Sequence, residues 1–489
     1  MNSALLSHEW LVVLLGLGVL LADLWVPQDF RRKLGYVAAA GLGAILVYSL
    51  VAVPVPSVPE YAFSHMYVMD GLALFFKRFF LVAAMLVLLM AVEFSDRIEK
   101  TAGEYYSLIL FALSGMLFAS SANNFALLFV SLELITVTFY VLTSFDRARV
   151  SSLEAGVKYL IIGALSTGFT VFGVALVYGI SGKLDFNDLA SVAASHATNK
   201  LFLMGLLMIL AGLGFKIAVV PFQVWAPDVY QGAPSPTTAF LAVGSKAAGF
   251  VLLLRVLFLA VPSIAEQWVN FLIVISGFTI LYGNLCAIPQ RNIKRLLGYS
   301  SIAHAGYLLL GVAAMAANGA LGSAGGSAIL YYLSGYLFTL MGAFTVISLV
   351  LRHVESEDIG GLAGLNRRSP LLAATLTLAM VSLAGIPPLA GFFGKFLLIR
   401  SALAEAPAHP GYYCLVFVAL AGVVMSFYYY FNVVRAIYWS RESVTQPAIQ
   451  PSAPIQIALY GCLVGMFLLG IYPNPMVNLA VTAAQALKP

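Results

Sequence analysis

Six titratable side chains stand inside stretches of this sequence that are otherwise apolar: Glu133, Lys158, Lys216, Lys246, His304 and Lys395. Burying an ammonium in lipid costs about 2.5–3.5 kcal/mol on insertion scales, so such residues normally face a wet or protein-lined interior. Burial penalises the charged form of an acid and of an amine alike, and a neighbour of opposite sign restores it. A set of Glu and Lys can therefore pass protons through small changes in spacing. Glu133, in FVSLELITVTFYVL, has no basic neighbour in its own segment; its plain alternative is an ion pair that locks two helices. Lys158 follows Glu154 by four residues, which puts both on one helical face, and near a segment end it can also snorkel. His304, in YSSIAHAGYLLLG beside Ser300, Ser301 and Tyr307, either relays a proton or hydrogen-bonds a neighbouring helix. Arg255 lies nearer the end of its segment and reads as an interfacial anchor. Groups spread singly over different segments suit a row of proton sites better than one solute pocket.

The lysines sit beside interruptions. Between Gly212 and Gly249 the chain reads GLGFKIAVVPFQVWAPDVYQGAPSPTTAFLAVGSKAAG, with Lys216 and Lys246 inside two apolar segments and Pro221 and Pro227 breaking the first. A second interruption, LAGIPPLAGFFGKF, has Pro387 and Pro388 two turns before Lys395. Proline frees backbone groups that lipid cannot satisfy. A lysine next to freed backbone is expected at a water-accessible site rather than snorkelling.

The elements that position these residues are membrane helices. The 489 residues are 61% hydrophobic and 10% charged, with mean hydropathy +0.94, outside the range of a soluble domain. Runs long enough to span fall near 9–25, 34–53, 72–93, 104–121, 125–145, 155–180, 201–226, 237–260, 267–288, 300–317, 328–352, 371–401, 411–437 and 455–473. The expectation is an all-α polytopic protein of about 14 transmembrane helices, with residues 1–489 forming a single integral membrane domain. The first apolar run, Trp10 to Leu24, has neither a basic flank nor a small-residue cleavage site and reads as a retained helix. Cys286, Cys414 and Cys462 are far apart and without CxxC spacing, so they cannot alone build an iron–sulfur or zinc site. The sequence contains no HExxH, Walker A loop or dinucleotide fingerprint. Redox and nucleotide chemistry is therefore expected on other polypeptides, with no metal, no cofactor and no nucleic acid bound by this chain.

Basic residues set an orientation. Loops after odd-numbered segments, from Arg31 to Arg441, hold 15 of the 26 Lys and Arg, Lys100 included; 6 lie on the other side, among them Lys77, Arg78 and Lys488. The positive-inside rule makes the odd loops cytoplasmic and turns both termini outward. Lys77 and Arg78 fit least well and are expected to snorkel at the outer end of the third segment. The proline-broken seventh and twelfth segments lie five apart and so run in opposite directions. That is the pattern of inverted repeats whose broken helices meet a substrate path, here 104–260 and 267–437.

Four motifs carry a family resemblance: VWAPDVYQGAPSPTTAFLAVGSKAAG (224–249), SLEAGVKYLIIGA (152–164), RNIKRLLGYSSIAHAGY (291–307) and GIPPLAGFFGKF (385–396). With them the chain resembles the antiporter-like membrane subunits of respiratory complex I, NADH-quinone oxidoreductase, and among these the subunit N branch. Lysine at 395, and the absence of a further C-terminal lateral helix, look more like that branch than subunits M or L. The resemblance implies proton translocation by Glu133, Lys158, Lys216, Lys246 and Lys395, with His304 and Glu154 as further relay residues. A Glu133–Lys158 pair would tune Lys216. It also implies partners in the membrane arm of a bacterial inner-membrane complex, with NAD, FMN, iron–sulfur clusters and quinone held by partner subunits. The rival readings are a subunit of a multisubunit sodium/proton antiporter, a structural scaffold for other pumping subunits, and a self-sufficient solute transporter.

Overall fold

Hydropathy and capping chemistry together set the helix boundaries in the computed structural model, which describes residues 3–98, 101–317, 323–354, 356–440 and 448–487. Lys100, Arg441 and Lys488 lie outside these. The N-terminal part comprises α1 (Ser7–Trp25), α2 (Gln28–Val51), a hairpin of β1 (Glu60–Ala62) and β2 (Tyr67–Met69), α3 (Gly71–Phe94), α4 (Ala102–Ser120), α5 (Phe125–Thr143) and α6 (Val150–Ser181). After the short α7 (Phe186–Ala193) come α8 (Lys200–Ile217), α9 (Ala226–Gly232) and α10 (Ser235–Ala260). Then follow α11 (Val269–Ala287), α12 (Ile293–Ala317), α13 (Ser323–Val350), α14 (Pro370–Ala384), α15 (Ala390–Glu405), α16 (Gly411–Trp439), α17 (Ala453–Ile471) and α18 (Asn474–Ala484). Thirteen of the described helices are long and apolar enough to cross a membrane. The shorter α14 and α15 flank Pro387 and Pro388, where the hydropathy of the sequence leads one to expect a further, interrupted segment. The starts of α3, α5 and α8 are capped by the Asp70, Asn124 and Asn199 side chains, which accept from backbone N–H groups of the first turn.

Both interruptions leave carbonyls without helical partners, and the protein supplies substitutes. Helix α8 stops at Ile217; Ala218 turns left-handed at φ 58°, and Val220–Pro221 is cis. The Trp225 indole then donates to the Phe215 carbonyl at 2.9 Å, and Thr279 of α11 accepts from the Val220 N–H at 3.2 Å. Pro227 is not a second break. It sits in the first turn of α9, where the absent N–H has no helical partner to lose. In the second interruption α14 ends at Ala384, Gly385 takes φ 89°, and Pro387–Pro388 is cis.

Helices with no lipid face form the middle of the molecule. Helix α10 is enclosed over its whole spanning window, and α12 and α13 over nearly all of theirs, whereas α6 lies at the periphery. Close approach of α11 to α12 needs Gly283: a Cβ there would stand 2.4 Å from the Ala303 nitrogen. The wholly enclosed α10 widens into a π turn over Leu241–Ser245, immediately before Lys246, a distortion that often accompanies functional positions in helices.

Three charges expected at the lipid interface are instead inside the protein. Lys77 is fully buried, 2.8 Å from the Glu9 carboxylate and 2.5 Å from the Tyr67 hydroxyl. Arg78 is half-buried and donates to the carbonyls of Ser49 and Val53 at 2.5 and 2.8 Å. Arg255 is fully buried; it grips both Asp70 oxygens at 3.0 and 2.9 Å and the Ser120 carbonyl at 2.9 Å. The partners come from elsewhere in the chain, where local sequence does not show them: α1 and the β hairpin for Lys77, the end of α2 for Arg78, and the start of α3 with the end of α4 for Arg255. Removing one member of a buried pair typically costs about 3–5 kcal/mol. Arg255→Leu or Asp70→Leu should therefore lower the unfolding temperature of the purified protein clearly, and the double substitution should recover part of the loss; equal loss in all three variants would refute a paired role.

Candidate functional site

The acid end of the row lies where α5, α6 and α8 meet. Thr167 of α6 donates to Glu133 at 2.7 Å, and Lys216 donates to Thr136 at 2.9 Å. Thr136 follows Glu133 by three residues on α5 and so shares its face. Glu133, Thr136, Thr167 and Lys216 line one cavity of about 20 Å³, enough for a single water. Lys216 has little exposure, at 4%, and its stem packs on α10 at Gly249, where a Cβ would meet Lys216 Cγ at 3.3 Å and Ile217 Cγ2 at 2.6 Å. Gly249 is three residues beyond Lys246, so the two lysines address the same stretch of α10.

The middle of the row lies wholly within enclosed helices. Lys246 donates to the Ser301 carbonyl of α12 at 2.5 Å and also to the Ser301 hydroxyl. That hydroxyl is further bonded to Tyr336 of α13 at 3.0 Å and to Tyr230 of α9 at 3.1 Å. One turn on, His304 Nδ1 bonds the Tyr332 hydroxyl and Nε2 bonds Tyr430 of α16 at 3.0 Å. Tyr430 continues to Ser300 at 2.5 Å. The His304 ring also lies 5.1 Å from the Tyr336 ring, so the Lys246 and His304 groups share a wall of tyrosines.

At the far end, Lys395 of α15 donates to the carbonyls of Leu383 and Ala384 at 2.7 and 3.2 Å. These are the acceptors freed where α14 stops, and the ammonium completes the broken helix. It is buried, at 4% exposure, rather than open to water, and lies 5.1 Å from the Tyr307 ring. Among the described residues none of Lys216, Lys246 and Lys395 has a carboxylate within ion-pair distance; neutral oxygens hold all three. No ion pair has to break when such an amine gives up or takes a proton.

Lys158 stands apart from this row. It is 43% exposed and pairs with Glu154 at 2.7 Å and Asp228 at 2.8 Å, not with Glu133. Asp228 in turn accepts from Arg295 at 2.5 Å, so the short α9 is tied to both α6 and α12. Glu154, Lys158, Asp228 and Arg295 line a polar cavity of about 160 Å³ at the end of the bundle that carries most of the basic residues. Beside it, Glu357 joins Arg149 at 2.8 Å to Lys294 at 3.1 Å. Glu133 and Lys158, both on the expected path, therefore belong to two separate groups.

Several participants are absent from the sequence-based set. Thr136 is signalled by its i, i+3 spacing from Glu133, and Tyr332 and Tyr336 by i, i+4 spacing on α13. Asp228 lies inside the quoted PDVYQG run. Tyr430, in a Tyr-rich stretch that reads equally as packing, has no local signal.

Enclosed lysines beside two interrupted helices, in a bundle with thirteen spanning-length helices among the described residues, define an antiporter-type membrane subunit. A family model described as NADH:quinone oxidoreductase/Mrp antiporter, TM, matches residues 122–426. Relatives named NADH-quinone oxidoreductase subunit N include one from Moorella thermoacetica, 40% identical over 99% of this chain and 98% of its own length. Another, from Heliobacterium modesticaldum, is 39% identical over the whole of both. A chain in the structure of respiratory complex I from Thermus thermophilus with bound aureothin superposes with TM-score 0.79 at 31% identity, covering 97% of this chain and 99% of that one. A chain of the Mrp complex from Dietzia sp. superposes with TM-score 0.80 at 21% identity, covering 98% and 97%, which shows a common fold. This chain belongs to the NADH-quinone oxidoreductase subunit N family.

Two outcomes follow from the geometry. Any side chain at Gly249 must displace Ile217 and the Lys216 stem, so Gly249→Val should cost about 1–3 kcal/mol of stability, read as a lower unfolding temperature, while valine at the lipid-facing Ala175 position should not. At the Glu357 loop, burial alone would raise the carboxyl, but Lys294 and Arg149 outweigh it and hold it below its usual value. A depressed folded value means the stabilisation is present at neutral pH and is lost as pH falls below about 4.3, the unperturbed range, towards that value. Hydrogen-exchange protection at residues 356–362, taken relative to the intrinsic rate at each pH, should therefore fall on acidification in the wild type. In Glu357→Gln it should already be low at neutral pH and lack that acid-linked fall.

Proposed function

We propose that this chain moves protons through the membrane arm of an NADH-quinone oxidoreductase, driven by redox chemistry on partner subunits that hold NAD, FMN, iron–sulfur clusters and quinone. The observation that carries this is the row of three enclosed lysines that, among the described residues, have hydroxyls and carbonyls rather than carboxylates within bonding distance, with His304 and its tyrosines between Lys246 and Lys395 in the chain. Intramembrane ionisable groups are expensive and persist where ions or protons move. Glu133 and its cavity adjust Lys216; Lys216 hands the proton to Lys246 across Gly249; Ser301, the tyrosines and His304 carry it on; and Lys395 exchanges it with one side. The polar cavity around Lys158, Glu154 and Asp228 supplies protons from the cytoplasmic side. Residues 104–260 and 267–437 act as inverted repeats, each holding one broken helix. The chain lies in a bacterial inner membrane with both termini outward.

The fold alone does not separate this reading from a sodium/proton antiporter, because the Mrp complex shares it. Near-full-length identity of 40% to subunit N relatives supports the complex I assignment. In vesicles containing the intact complex, Lys216→Ala and Glu133→Ala are expected to reduce NADH-driven proton pumping to a small fraction of the wild-type rate, measured only on complex whose subunit composition is unchanged. Undiminished pumping in both would sink the mechanism, and loss of assembly without loss of specific activity would favour a scaffold.

A further inference from the structure

A second cavity lies away from the lysine row, between α2, α3, α13 and α18, and encloses about 290 Å³. Leu46, Phe79, Leu337 and Leu479 supply apolar walls. Arg78 is the one charged residue in its lining. The neighbouring Lys77 is neutralised by Glu9 at 2.8 Å, but Arg78 has no acidic partner among the described residues. Its Nε donates to Ser49 Oγ at 3.2 Å and its Nη2 to the Ser49 and Val53 carbonyls at 2.5 and 2.8 Å. No described group accepts from Nη1.

We infer that this cavity binds an anionic phospholipid, with its phosphate on Arg78 and an acyl chain along the wall formed by Leu46, Phe79 and Leu337. Three features select that chemistry. A guanidinium in an apolar, membrane-embedded cavity calls for a counter-anion, and its planar fork suits phosphate oxygens. Arg78 lies seven residues into α3, roughly 10 Å along the axis from its start, so a phosphate there sits near the membrane surface with hydrocarbon depth beyond it. Thr482 of the short α18 and Ser334 of α13 add hydroxyls to a lining that is otherwise mostly apolar, so an amphipathic molecule finds both kinds of surface. A neutral quinone tail gives the cation nothing to pair with.

The test uses the intact complex purified from wild type, Arg78→Gln, Arg78→Lys and Leu337→Trp. Bound lipid is quantified by mass spectrometry after prolonged detergent exchange, and phosphatidylglycerol or phosphatidylcholine is then added back. The expected result is loss of one tightly held anionic lipid per complex in Arg78→Gln and in Leu337→Trp, which fills the cavity, with retention in Arg78→Lys. Phosphatidylglycerol, not phosphatidylcholine, should rebind to the wild type. As a check that needs no variant, a photoactivatable phosphatidylglycerol should label α3 or α18 peptides in the wild-type complex. Equal lipid content in all four proteins, equal rebinding of both lipids, or photolabelling that never falls on α3 or α18 would each overturn the proposal. None of these readouts depends on proton pumping.

Discussion

Inside a bilayer no polar group can be left to water, so each must find its partner within the protein. This constraint organises the whole structure. Regular helices satisfy their own backbone, which is why nearly the whole chain is helical. Where proline interrupts α8 and α14, side chains join in satisfying the carbonyls at the breaks: the Trp225 indole shares the Phe215 carbonyl with the Ala218 N–H at the first, and Lys395 takes the carbonyls of Leu383 and Ala384 at the second. The second solution places a charge at a defined depth for a structural reason, and chemistry can then use it.

The same constraint divides the buried cations into two kinds. Lys77 and Arg255 are matched by Glu9 and Asp70, and such pairs fix helices in place. Lys216, Lys246 and Lys395 lie among hydroxyls and carbonyls. The first kind resists any change of protonation because it would strand a partner; the second strands none. Enclosure of α10, α12 and α13 makes the second kind tolerable, since the polar faces of these helices meet only protein.

The spanning segments and both interruptions were legible in the sequence because hydropathy over some twenty residues and the chemistry of proline are local properties. Glu154 with Lys158 was legible for the same reason. What local reading cannot supply is the partner across the fold. Asp70 and Arg255 are 185 residues apart, and Arg255 reads as an anchor only if its helix is assumed to face lipid, whereas α10 is enclosed. Lys158 next to Asp228 rather than Glu133 is likewise a matter of which helix lies beside α6. The tyrosines around His304 carry no pattern that separates relay from packing.

Ser301 brings one last consequence. Its hydroxyl has two lone pairs and one proton, and three side chains surround it: Lys246, Tyr336 and Tyr230. When Lys246 is an ammonium and Tyr336 donates, both acceptor positions are filled and the serine proton must point to Tyr230. When Lys246 is a neutral amine with a free lone pair, the serine proton can turn to it, and Tyr230 must reverse its own hydroxyl to remain bonded. The charge of one lysine is thereby written as the direction of a hydrogen bond reaching α9, the half-helix that Asp228 ties to α6 and α12.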